Sequence, residues 1–190
     1  GSDRARYNIG ISMDYDLSTL RTLFSAEQIH SRIQDLASEI RATYGDDPIT
    51  LVGVLKGSMY FIADLTRELG DGVTIDFVQV SSYGDEKSSS GVVQIRKDLD
   101  QNIEGRHILI VEDIVDTGLT LTHLKELLGT RRPRSLRVVS LLSKPEARTH
   151  EALIDFLGFE IPNEFVVGYG LDYAERYRNL PFIAVLQPSA

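Results

Sequence analysis

Three acidic side chains, two threonines and a glycine lie close together near the middle of the chain. They belong to the run that contains Glu112, Asp113, Asp116, Thr117, Gly118, Leu119 and Thr120. Threonine hydroxyls can donate hydrogen bonds to a phosphate, and a glycine lets the phosphate approach the backbone closely. Carboxylates beside a phosphate repel it unless Mg²⁺ or the hydroxyl groups of a sugar lie between them. The set therefore predicts a ligand with a phosphate, vicinal hydroxyls and a metal ion, and a phosphorylated ribose fits all three.

This run lies between a predicted buried strand and a predicted helix. Residues 107–111 include four consecutive branched apolar side chains, which is typical of a strand buried on both faces of a parallel sheet. Residues 119–128 have apolar side chains at helical spacing, and Gly129 and Pro133 mark the end of the helix. Open α/β sheets bind ligands at the carboxyl ends of their strands, and the free N–H groups of a helix start suit a phosphate.

A helix cap or a solvated side chain is the simpler role for each of these acids considered alone. That interpretation is weak for the whole set, because a cap does not need an apolar strand that ends in three acids. The chain contains no Gly-x-x-x-x-Gly-Lys-Ser/Thr and no Gly-x-Gly-x-x-Gly pattern. The ordinary loops that bind nucleoside triphosphates and dinucleotides are therefore absent from the sequence.

Residues 111–120 resemble the phosphoribosyl-diphosphate loop of type I phosphoribosyltransferases, most closely that of the hypoxanthine-guanine branch. The resemblance implies that the acids, threonines and glycine named above bind the 5-phosphoribosyl group. We expect Glu112 and Asp113 to hold the ribose hydroxyls and Mg²⁺. Asp116 is the acid closest to the predicted phosphate site, so we expect it to be the general base that accepts the purine ring proton.

A second loop with groups that suit an anion follows a predicted strand at residues 49–55. It contains Lys56, Gly57 and Ser58, and a helix is predicted over residues 59–69. From the residues alone, a plain turn with an exposed lysine is an equal alternative. The loop resembles the pyrophosphate loop of the same family, in which the peptide before the lysine can be cis. The resemblance implies that Lys56 and Gly57 bind pyrophosphate.

A third predicted strand, residues 136–142, is followed by Lys144. A solvated residue at a strand end is the alternative role for this lysine. It resembles the family lysine that donates to the 6-oxo group of the purine. A lysine has three donors and no acceptor, whereas adenine presents an amino donor at that position. The resemblance therefore implies a purine-binding Lys144 and a preference for 6-oxopurines over adenine.

Residues 84–91 are small, polar and charged, and they separate predicted strands at residues 73–80 and 92–95. This composition is typical of a mobile loop, and an idle hairpin loop is the alternative. Ser82 and Tyr83 resemble the mobile lid of the family, which closes over the active site and excludes water from a reactive sugar cation. We therefore expect this segment to form a lid.

The last part of the chain resembles the purine hood of the family. The resemblance implies that Phe165 stacks on the base and that the backbone of Val166 reads the base edge. Core packing is the simpler role for Phe165 considered alone. Asp172 is expected near the base and the pyrophosphate, as a further metal ligand, and Arg178 is expected to bind pyrophosphate. Residues 181–186 predict a short closing strand.

Composition restricts the class of protein. A length of 190 residues predicts a single domain, residues 1–190, with the hood mainly at about 160–190. The chain has no cysteine, which excludes disulfides and thiolate metal sites and fits a cytoplasmic location. No apolar run is long enough to span a membrane, and no signal peptide is visible. The net charge of −8 argues against nucleic-acid binding, although residues 131–134 form a basic cluster after a helix.

Strands and helices alternate along the chain. This order predicts an α/β domain with a mainly parallel central sheet flanked by helices, and the resemblance implies the type I phosphoribosyltransferase fold with a small hood. Ser25 and Gln28 form a capping box that begins a helix, and this helix ends before Gly45. Residues 156–162 are interpreted as a connector. His107 and His123 have no metal-ligand partner at a useful spacing, and we expect them to be structural, whereas we expect His30 to be solvated and His150 to lie at the surface.

The resemblance implies transfer of 5-phosphoribosyl from phosphoribosyl diphosphate to hypoxanthine and/or guanine. The products would be IMP or GMP and pyrophosphate, which is a purine salvage reaction with Mg²⁺ as the cofactor. Two alternatives remain: a xanthine or other phosphoribosyltransferase of the same fold, and a non-catalytic regulator that binds RNA. We expect a homo-oligomer, a dimer or a tetramer, and no nucleic-acid or membrane partner.

Overall fold

The computed structural model describes Ser18, residues 20–83 and residues 92–187. Strands and helices alternate through these residues in the order β1 (Arg21–Phe24), α1 (Ala26–Tyr44), β2 (Ile49–Val54), α2 (Met59–Leu69), β3 (Val73–Tyr83), β4 (Val92–Lys97), β5 (His107–Val115), α3 (Leu119–Gly129), β6 (Ser135–Ser143), β7 (Phe156–Glu160), β8 (Val166–Val167) and β9 (Ile183–Val185). A short 3₁₀ helix, Pro145–Ala147, follows β6. In this part of the chain, no helix has both the length and the apolar character needed to cross a membrane.

Six strands form the central sheet in the order β4-β3-β2-β5-β6-β7. The pairs β2–β3, β2–β5, β5–β6 and β6–β7 are parallel, whereas β3–β4 is antiparallel. The predicted α/β fold with a mainly parallel sheet is therefore confirmed. Because β2, β5 and β6 are neighbours and run in the same direction, the three loops that follow them lie side by side at one edge of the sheet.

The central strands are buried on both faces, as their apolar runs predict. On β5, Leu109 and Val111 join one apolar core together with the buried faces of α1 and α2. Ile108 and Ile110 join a second core together with the buried face of α3. Alternate side chains of a strand point to opposite faces, so each run must be apolar throughout. The sheet thus lies between two layers of helices, and it positions the loops at its edge.

The predicted capping box of α1 is present. The Ser25 hydroxyl accepts a hydrogen bond from the Gln28 N–H at 3.1 Å, and the Gln28 side chain accepts one from the Ser25 N–H at 2.8 Å. Arg32 on the same helix donates to the carbonyl oxygens of Leu157 at 2.6 Å and Gly158 at 3.0 Å. Helix α1 is therefore tied to β7, the strand at one end of the central sheet.

The interpretation of residues 156–162 as a connector is wrong for most of its length. Phe156–Glu160 form β7, which pairs in parallel with β6. The sequence did not predict this strand because Gly158 has no side chain and interrupts the alternation of apolar and polar residues. A Cβ atom at this position would overlap the Leu141 carbonyl oxygen, so the close approach of the two strands requires glycine.

The predicted hood is a three-stranded antiparallel sheet in the order β1-β9-β8. The predicted closing strand is its middle strand, and the Leu186 N–H donates to the Phe165 carbonyl at 2.9 Å. The Tyr169 hydroxyl donates to the Asp64 carboxylate on α2. Burial and this carboxylate raise the pKa of Tyr169, so the hydroxyl remains a donor. This hydrogen bond ties the hood to the middle of helix α2.

Candidate active site

The loop after β5 forms a pocket of about 220 Å³ that contains the predicted phosphoribosyl-binding residues. Its lining consists of Glu112, Asp113, Ile114, Val115, Asp116, Thr117, Gly118, Thr120 and Leu121. Helix α3 begins directly after the loop, so the N–H groups of its first turn lie at the same place as the threonine hydroxyls, and that of Leu119 donates to the Thr117 hydroxyl at 3.3 Å. The side chains of the predicted phosphate site are therefore brought together, with the exception of Leu119, which does not line this pocket.

A neighbouring segment that the sequence did not single out supports this loop. The N–H groups of Thr149 and His150 both donate to the Thr117 carbonyl, each at 2.9 Å. Gly118 has φ +88°, and a Cβ atom there would overlap the His150 carbonyl oxygen. Glycine is required at this position both by the left-handed backbone and by the close packing. His150 therefore contributes to the loop through its backbone.

Glu112 and Asp113 form an acidic pair at the end of β5. Glu112 is buried, and burial together with the neighbouring Asp113 raises its pKa well above the usual range. Burial raises the pKa of Asp113 to about 6, while the N–H of Ile114 and the positive charge of Arg178 act in the opposite direction. Two carboxylates in this environment are costly to ionise together, so the site favours a cation or hydroxyl donors beside them.

The donors of this pair fit Mg²⁺ in chemical type, because Mg²⁺ prefers oxygen ligands. Among the described residues, no group of three or more His, Cys, Asp or Glu side chains could hold a metal ion. Asp172 therefore does not complete a three-carboxylate cluster with Glu112 and Asp113, although its charge does raise the pKa of Asp113. Mg²⁺ usually keeps several waters and binds through one or two carboxylates plus substrate phosphates. A site with the two carboxylates of Glu112 and Asp113 is consistent with this mode of binding.

The loop after β2 packs directly on this acidic pair. The peptide bond between Leu55 and Lys56 is cis, as the resemblance allowed. A Cβ atom on Gly57 would overlap the Asp113 carboxylate. A Cβ atom on Gly170, in the hood, would likewise overlap the Gly57 carbonyl oxygen. Two glycines thus let three segments meet: the loop after β2, the end of β5 and the hood.

We expect the substitution Gly57→Ala to displace the Asp113 carboxylate and to lower kcat/KM for phosphoribosyl diphosphate. The added methyl group has no free space, and a displacement of about 1 Å at an active site can cost about 10²-fold. Steady-state kinetics would measure the loss. Gly129→Ala is the matched control, because a Cβ atom at Gly129 meets nothing within 4 Å. Equal kinetics for the two variants would contradict the role of this contact.

Lys144 lies beside the predicted general base. Its Nζ atom is 3.9 Å from the Asp116 Oδ2 atom, and its side chain is only 9% exposed, whereas that of Asp116 is 51% exposed. The Lys144 N–H donates to the Val115 carbonyl at 2.9 Å, which fixes the lysine to the end of β5. The parallel pairing of β5 with β6 therefore places a buried cation and an accessible carboxylate next to the same pocket.

The hood supplies the remaining predicted residues. Phe165 is 43% exposed, and its ring meets the Tyr173 ring edge to face at 5.9 Å between centroids. Val166 is buried in β8 and pairs with Val185. Phe165 is therefore not a core residue, which removes the simpler role considered from the sequence, and part of its side chain is exposed to solvent.

Lys56 and Arg178 converge on one carboxylate that the sequence reasoning missed. The Lys56 Nζ atom lies 3.0 Å from a Glu175 carboxylate oxygen, and the Arg178 Nη2 atom lies 3.4 Å from the other. The hydrogen bond from Lys56 lowers the pKa of Glu175, with a further contribution from Arg178. Arg178 also approaches Asp172 at 3.4 Å and donates to the Gly170 carbonyl at 2.6 Å. The two predicted pyrophosphate ligands are thus neighbours.

The predicted lid lies only partly within the described residues. Ser82 and Tyr83 are the last residues of β3, and their backbones pair with Val93 and Val92 of β4. Residues 84–91 are outside the described part of the chain. The assignment of Ser82 and Tyr83 to a lid therefore remains a prediction.

Two other surfaces contain none of the predicted site residues. A groove of about 360 Å³ lies between the β3–β4 hairpin and α3, and its lining is mainly apolar. In the basic cluster, Arg131 pairs with Asp98 at 2.7 Å and Arg132 pairs with Glu104 at 3.1 Å. Pairing with acids neutralises much of the charge that an RNA surface would need.

Comparison with known proteins agrees with this geometry. The model of the phosphoribosyl transferase domain matches residues 22–174. The hypoxanthine-guanine phosphoribosyltransferase of Bacillus subtilis (strain 168) is 49% identical over 177 residues, which cover 93% of this chain and 97% of the relative. That of Mycobacterium avium is 53% identical over 172 residues, 87% of this chain and 85% of the relative.

A solved structure of a hypoxanthine phosphoribosyltransferase from Staphylococcus aureus matches the fold with a TM-score of 0.86 and 43% identity. The match covers 92% of this chain and 93% of that one. Because the domain model, the sequence relatives and the structural neighbour agree over most of the length, the chain belongs to the phosphoribosyltransferase family.

Proposed function

We propose that this protein is a hypoxanthine-guanine phosphoribosyltransferase of purine salvage. It transfers 5-phosphoribosyl from phosphoribosyl diphosphate to hypoxanthine and/or guanine, and it releases pyrophosphate with IMP or GMP. Both sequence relatives described above carry this activity in their names, and the identity extends over most of their length. A xanthine enzyme of the same fold is the nearest alternative, because xanthine also presents a 6-oxo group.

The observation that carries the proposal is the position of Lys144. A buried ammonium group lies 3.9 Å from the carboxylate of Asp116, which lines the pocket formed by the loop after β5. A 6-oxopurine has an oxygen acceptor and a nearby ring nitrogen that must lose a proton. The Lys144 ammonium group can donate to the oxygen, and the Asp116 carboxylate can accept the proton from the nitrogen. The pair therefore fits a 6-oxopurine better than it fits adenine.

The remaining residues are assigned by the groups that they offer. The loop from Thr117 to Thr120 offers hydroxyl and N–H donors to the 5′-phosphate. Lys56, the backbone of Gly57 and Arg178 offer positive charge and donors to the pyrophosphate. Phe165 offers an aromatic face to the base, and the backbone beside Val166 offers polar groups to its edge.

The acidic pair at the end of β5 is assigned to the ribose hydroxyls and to Mg²⁺. Bound Mg²⁺ would neutralise charge on the departing pyrophosphate. Glu112 and Asp113 would orient the ribose so that its reactive carbon faces the base, with Asp172 near the pyrophosphate. The sugar should resemble an oxocarbenium ion in the transition state, so water has to be excluded, and the segment that begins at Ser82 and Tyr83 is assigned this task.

A steady-state assay tests the proposed function. The purified protein is mixed with phosphoribosyl diphosphate, Mg²⁺ and one of four bases: hypoxanthine, guanine, xanthine or adenine. We expect nucleotide and pyrophosphate in equal amounts with hypoxanthine or guanine, and little product with adenine. Efficient turnover of xanthine alone would favour the alternative enzyme, and absence of turnover with every base would overturn the proposal. A cytoplasmic location and a homodimer or homotetramer remain part of the proposal.

We expect Lys144→Ala to lower kcat/KM for hypoxanthine and guanine by roughly ten- to hundredfold. A hydrogen bond to a charged group contributes about 1.5–3 kcal/mol, and the variant loses this bond to the 6-oxo group. The variant should also discriminate less against adenine, because the opposing donor is removed. Kinetics with the two classes of base would measure both effects.

Lys125→Ala is the matched control for this substitution, because Lys125 lies on α3 and is not among the residues that line the pocket. It should behave as the unmodified protein with each base. If unmodified protein used adenine as well as hypoxanthine, the assignment of Lys144 would be wrong.

A further inference from the structure

The carboxylate of Glu175 lies between the two cations assigned to pyrophosphate. One of its oxygens is 3.0 Å from the Lys56 Nζ atom, and Arg178 Nη2 is within 3.4–3.5 Å of both of its oxygens. Lys56 follows β2, whereas Arg178 belongs to the hood, so Glu175 joins two separate parts of the fold. A carboxylate that bridges a lysine and an arginine uses the same contacts that a phosphate oxygen would use.

The backbone around Glu175 holds the carboxylate in this position. Ala174 has φ +50° and Glu175 has φ +65°, which are left-handed conformations that side chains other than glycine rarely adopt. The turn is closed by two backbone hydrogen bonds between Tyr173 and Arg176, at 2.9 and 3.0 Å. The Glu175 N–H also donates to the Asp172 carboxylate at 2.9 Å. The position of Glu175 beside Lys56 therefore requires an unfavourable backbone conformation at two residues of the turn.

Stability of the fold does not account for this arrangement. The side chains of Glu175 and Lys56 are 63% and 56% exposed, and exposed ion pairs contribute little to stability. Arg178 is anchored without Glu175, because its Nη1 atom donates to the Gly170 carbonyl and its Nη2 atom approaches Asp172. The contacts of Glu175 are thus weak, accessible and replaceable, as a contact must be if a ligand is to displace it.

We propose that Glu175 is an internal competitor for the pyrophosphate site. Its carboxylate pairs with Lys56 and Arg178 when the site is free, leaves them when the diphosphate group binds, and returns when pyrophosphate departs. This inference rests on the proposed function, because it takes Lys56 and Arg178 as pyrophosphate ligands. Glu175 is a positioning residue: it prevents mutual repulsion of the two cations in the free protein, and it weakens the hold on substrate and product alike.

The exchange between the Glu175 carboxylate and the diphosphate group affects both substrate binding and product release. Each binding event must break the two contacts of Glu175, and each release of pyrophosphate regains them. Removal of the carboxylate should therefore lower KM for phosphoribosyl diphosphate and also slow the departure of pyrophosphate. If product release limits the rate, kcat falls together with KM.

The inference is tested by calorimetric titration of pyrophosphate in the presence of Mg²⁺ at low ionic strength, where screening is weak. Glu175→Gln keeps the size of the side chain and removes its charge. We expect this variant to bind pyrophosphate about two- to tenfold more tightly than the unmodified protein, the range given by the loss of two ion pairs of the accessible Glu175 carboxylate. Glu104→Gln is the matched control, because it removes an exposed ion pair with Arg132, at 3.1 Å, outside the site. Its affinity should be unchanged.

A double-mutant cycle separates competition from a structural role. In a Lys56→Ala background the main partner of Glu175 is absent, so Glu175→Gln should produce a much smaller gain in affinity than it does alone. A purely structural effect would be the same in both backgrounds. Glu175→Asp is a second variant, because its shorter side chain cannot keep the 3.0 Å contact, and it should also tighten binding.

The outcomes of this titration are distinct. Unchanged or weaker binding by both Glu175 variants, with normal thermal unfolding, would overturn the inference and would make Glu175 a support for the cations. Absence of pyrophosphate binding by the unmodified protein would instead overturn the proposed pyrophosphate site, and the inference with it. Tighter binding by Glu175→Gln, with a much smaller gain in the Lys56→Ala background, would establish the competition.

Discussion

The variant Asp116→Asn is expected to lose about 10²–10⁴-fold in kcat while its fold remains intact, which is the typical contribution of general-base catalysis. Asp116 lines the pocket and is half exposed, so its substitution leaves the apolar cores untouched. An asparagine keeps the shape of the side chain but cannot accept the purine ring proton. Single-turnover kinetics with hypoxanthine would measure the chemical step directly.

Asp35→Asn is the matched control for this loss. Asp35 approaches Arg32 at 3.9 Å, the same distance that separates Asp116 from Lys144, but it lies on α1 away from the pocket. The control should keep the full kcat, because loss of a distant ion pair is not expected to affect the chemistry. A kcat near that of the unmodified protein for Asp116→Asn would transfer the role of base to another residue.

The variant Asp113→Asn is expected to be more stable than the unmodified protein at neutral pH and to be severely impaired in catalysis. Burial raises the pKa of Asp113 from 3.8 to about 6, and a shift of this size corresponds to at most about 3 kcal/mol. The side chain is not completely enclosed, so we expect a gain of about 1–2 kcal/mol in the free energy of unfolding. The asparagine oxygen can still accept the Ile114 N–H.

The pH dependence of this gain has a definite sign. A carboxyl group with a higher pKa in the folded chain binds its proton more tightly there, so its ionisation costs stability. The advantage of Asp113→Asn should be complete above about pH 6 and should disappear as the pH falls towards 4, where the carboxyl group is protonated in both states. Denaturant unfolding at several pH values, without Mg²⁺, would measure it.

Asp76→Asn provides the opposite control. Asp76 is also buried, but its carboxylate accepts hydrogen bonds from the N–H groups of Phe77, Asp100 and Gln101. An amide nitrogen cannot accept these bonds, so this variant should be less stable than the unmodified protein. A loss of stability in both variants would contradict the view that the Asp113 charge is held at a cost for the sake of the ligand.

The sequence was sufficient to predict the placement of those candidate site residues that follow strands. Lys56, Asp116 and Lys144 each follow an apolar run, and runs of this kind form neighbouring parallel strands whose ends meet. The periodicity of residues 119–128 was likewise sufficient to predict α3, because local spacing determines a helical face. These features depend on patterns within about fifteen residues, which a single sequence displays.

Other features depend on contacts that no local pattern contains. Glu175 is 119 positions from Lys56, and its role follows from the packing of the hood against the loop after β2. The contact between Gly57 and Asp113 depends on the separation of two loops, and spacing along the chain does not give that separation. Strand β7 was missed because Gly158 interrupts its alternation, although the close approach to Leu141 makes that glycine necessary.

The hydrogen bonds of Arg32 to Leu157 and Gly158 have a consequence for self-association. Strand β7 ends the central sheet, and backbone groups at such an edge can pair with a strand from another molecule, which leads to aggregation. The guanidinium group already occupies two carbonyl oxygens of β7, so an added strand would have to displace it. Helix α1 therefore protects this edge of the sheet against the addition of a strand from another molecule.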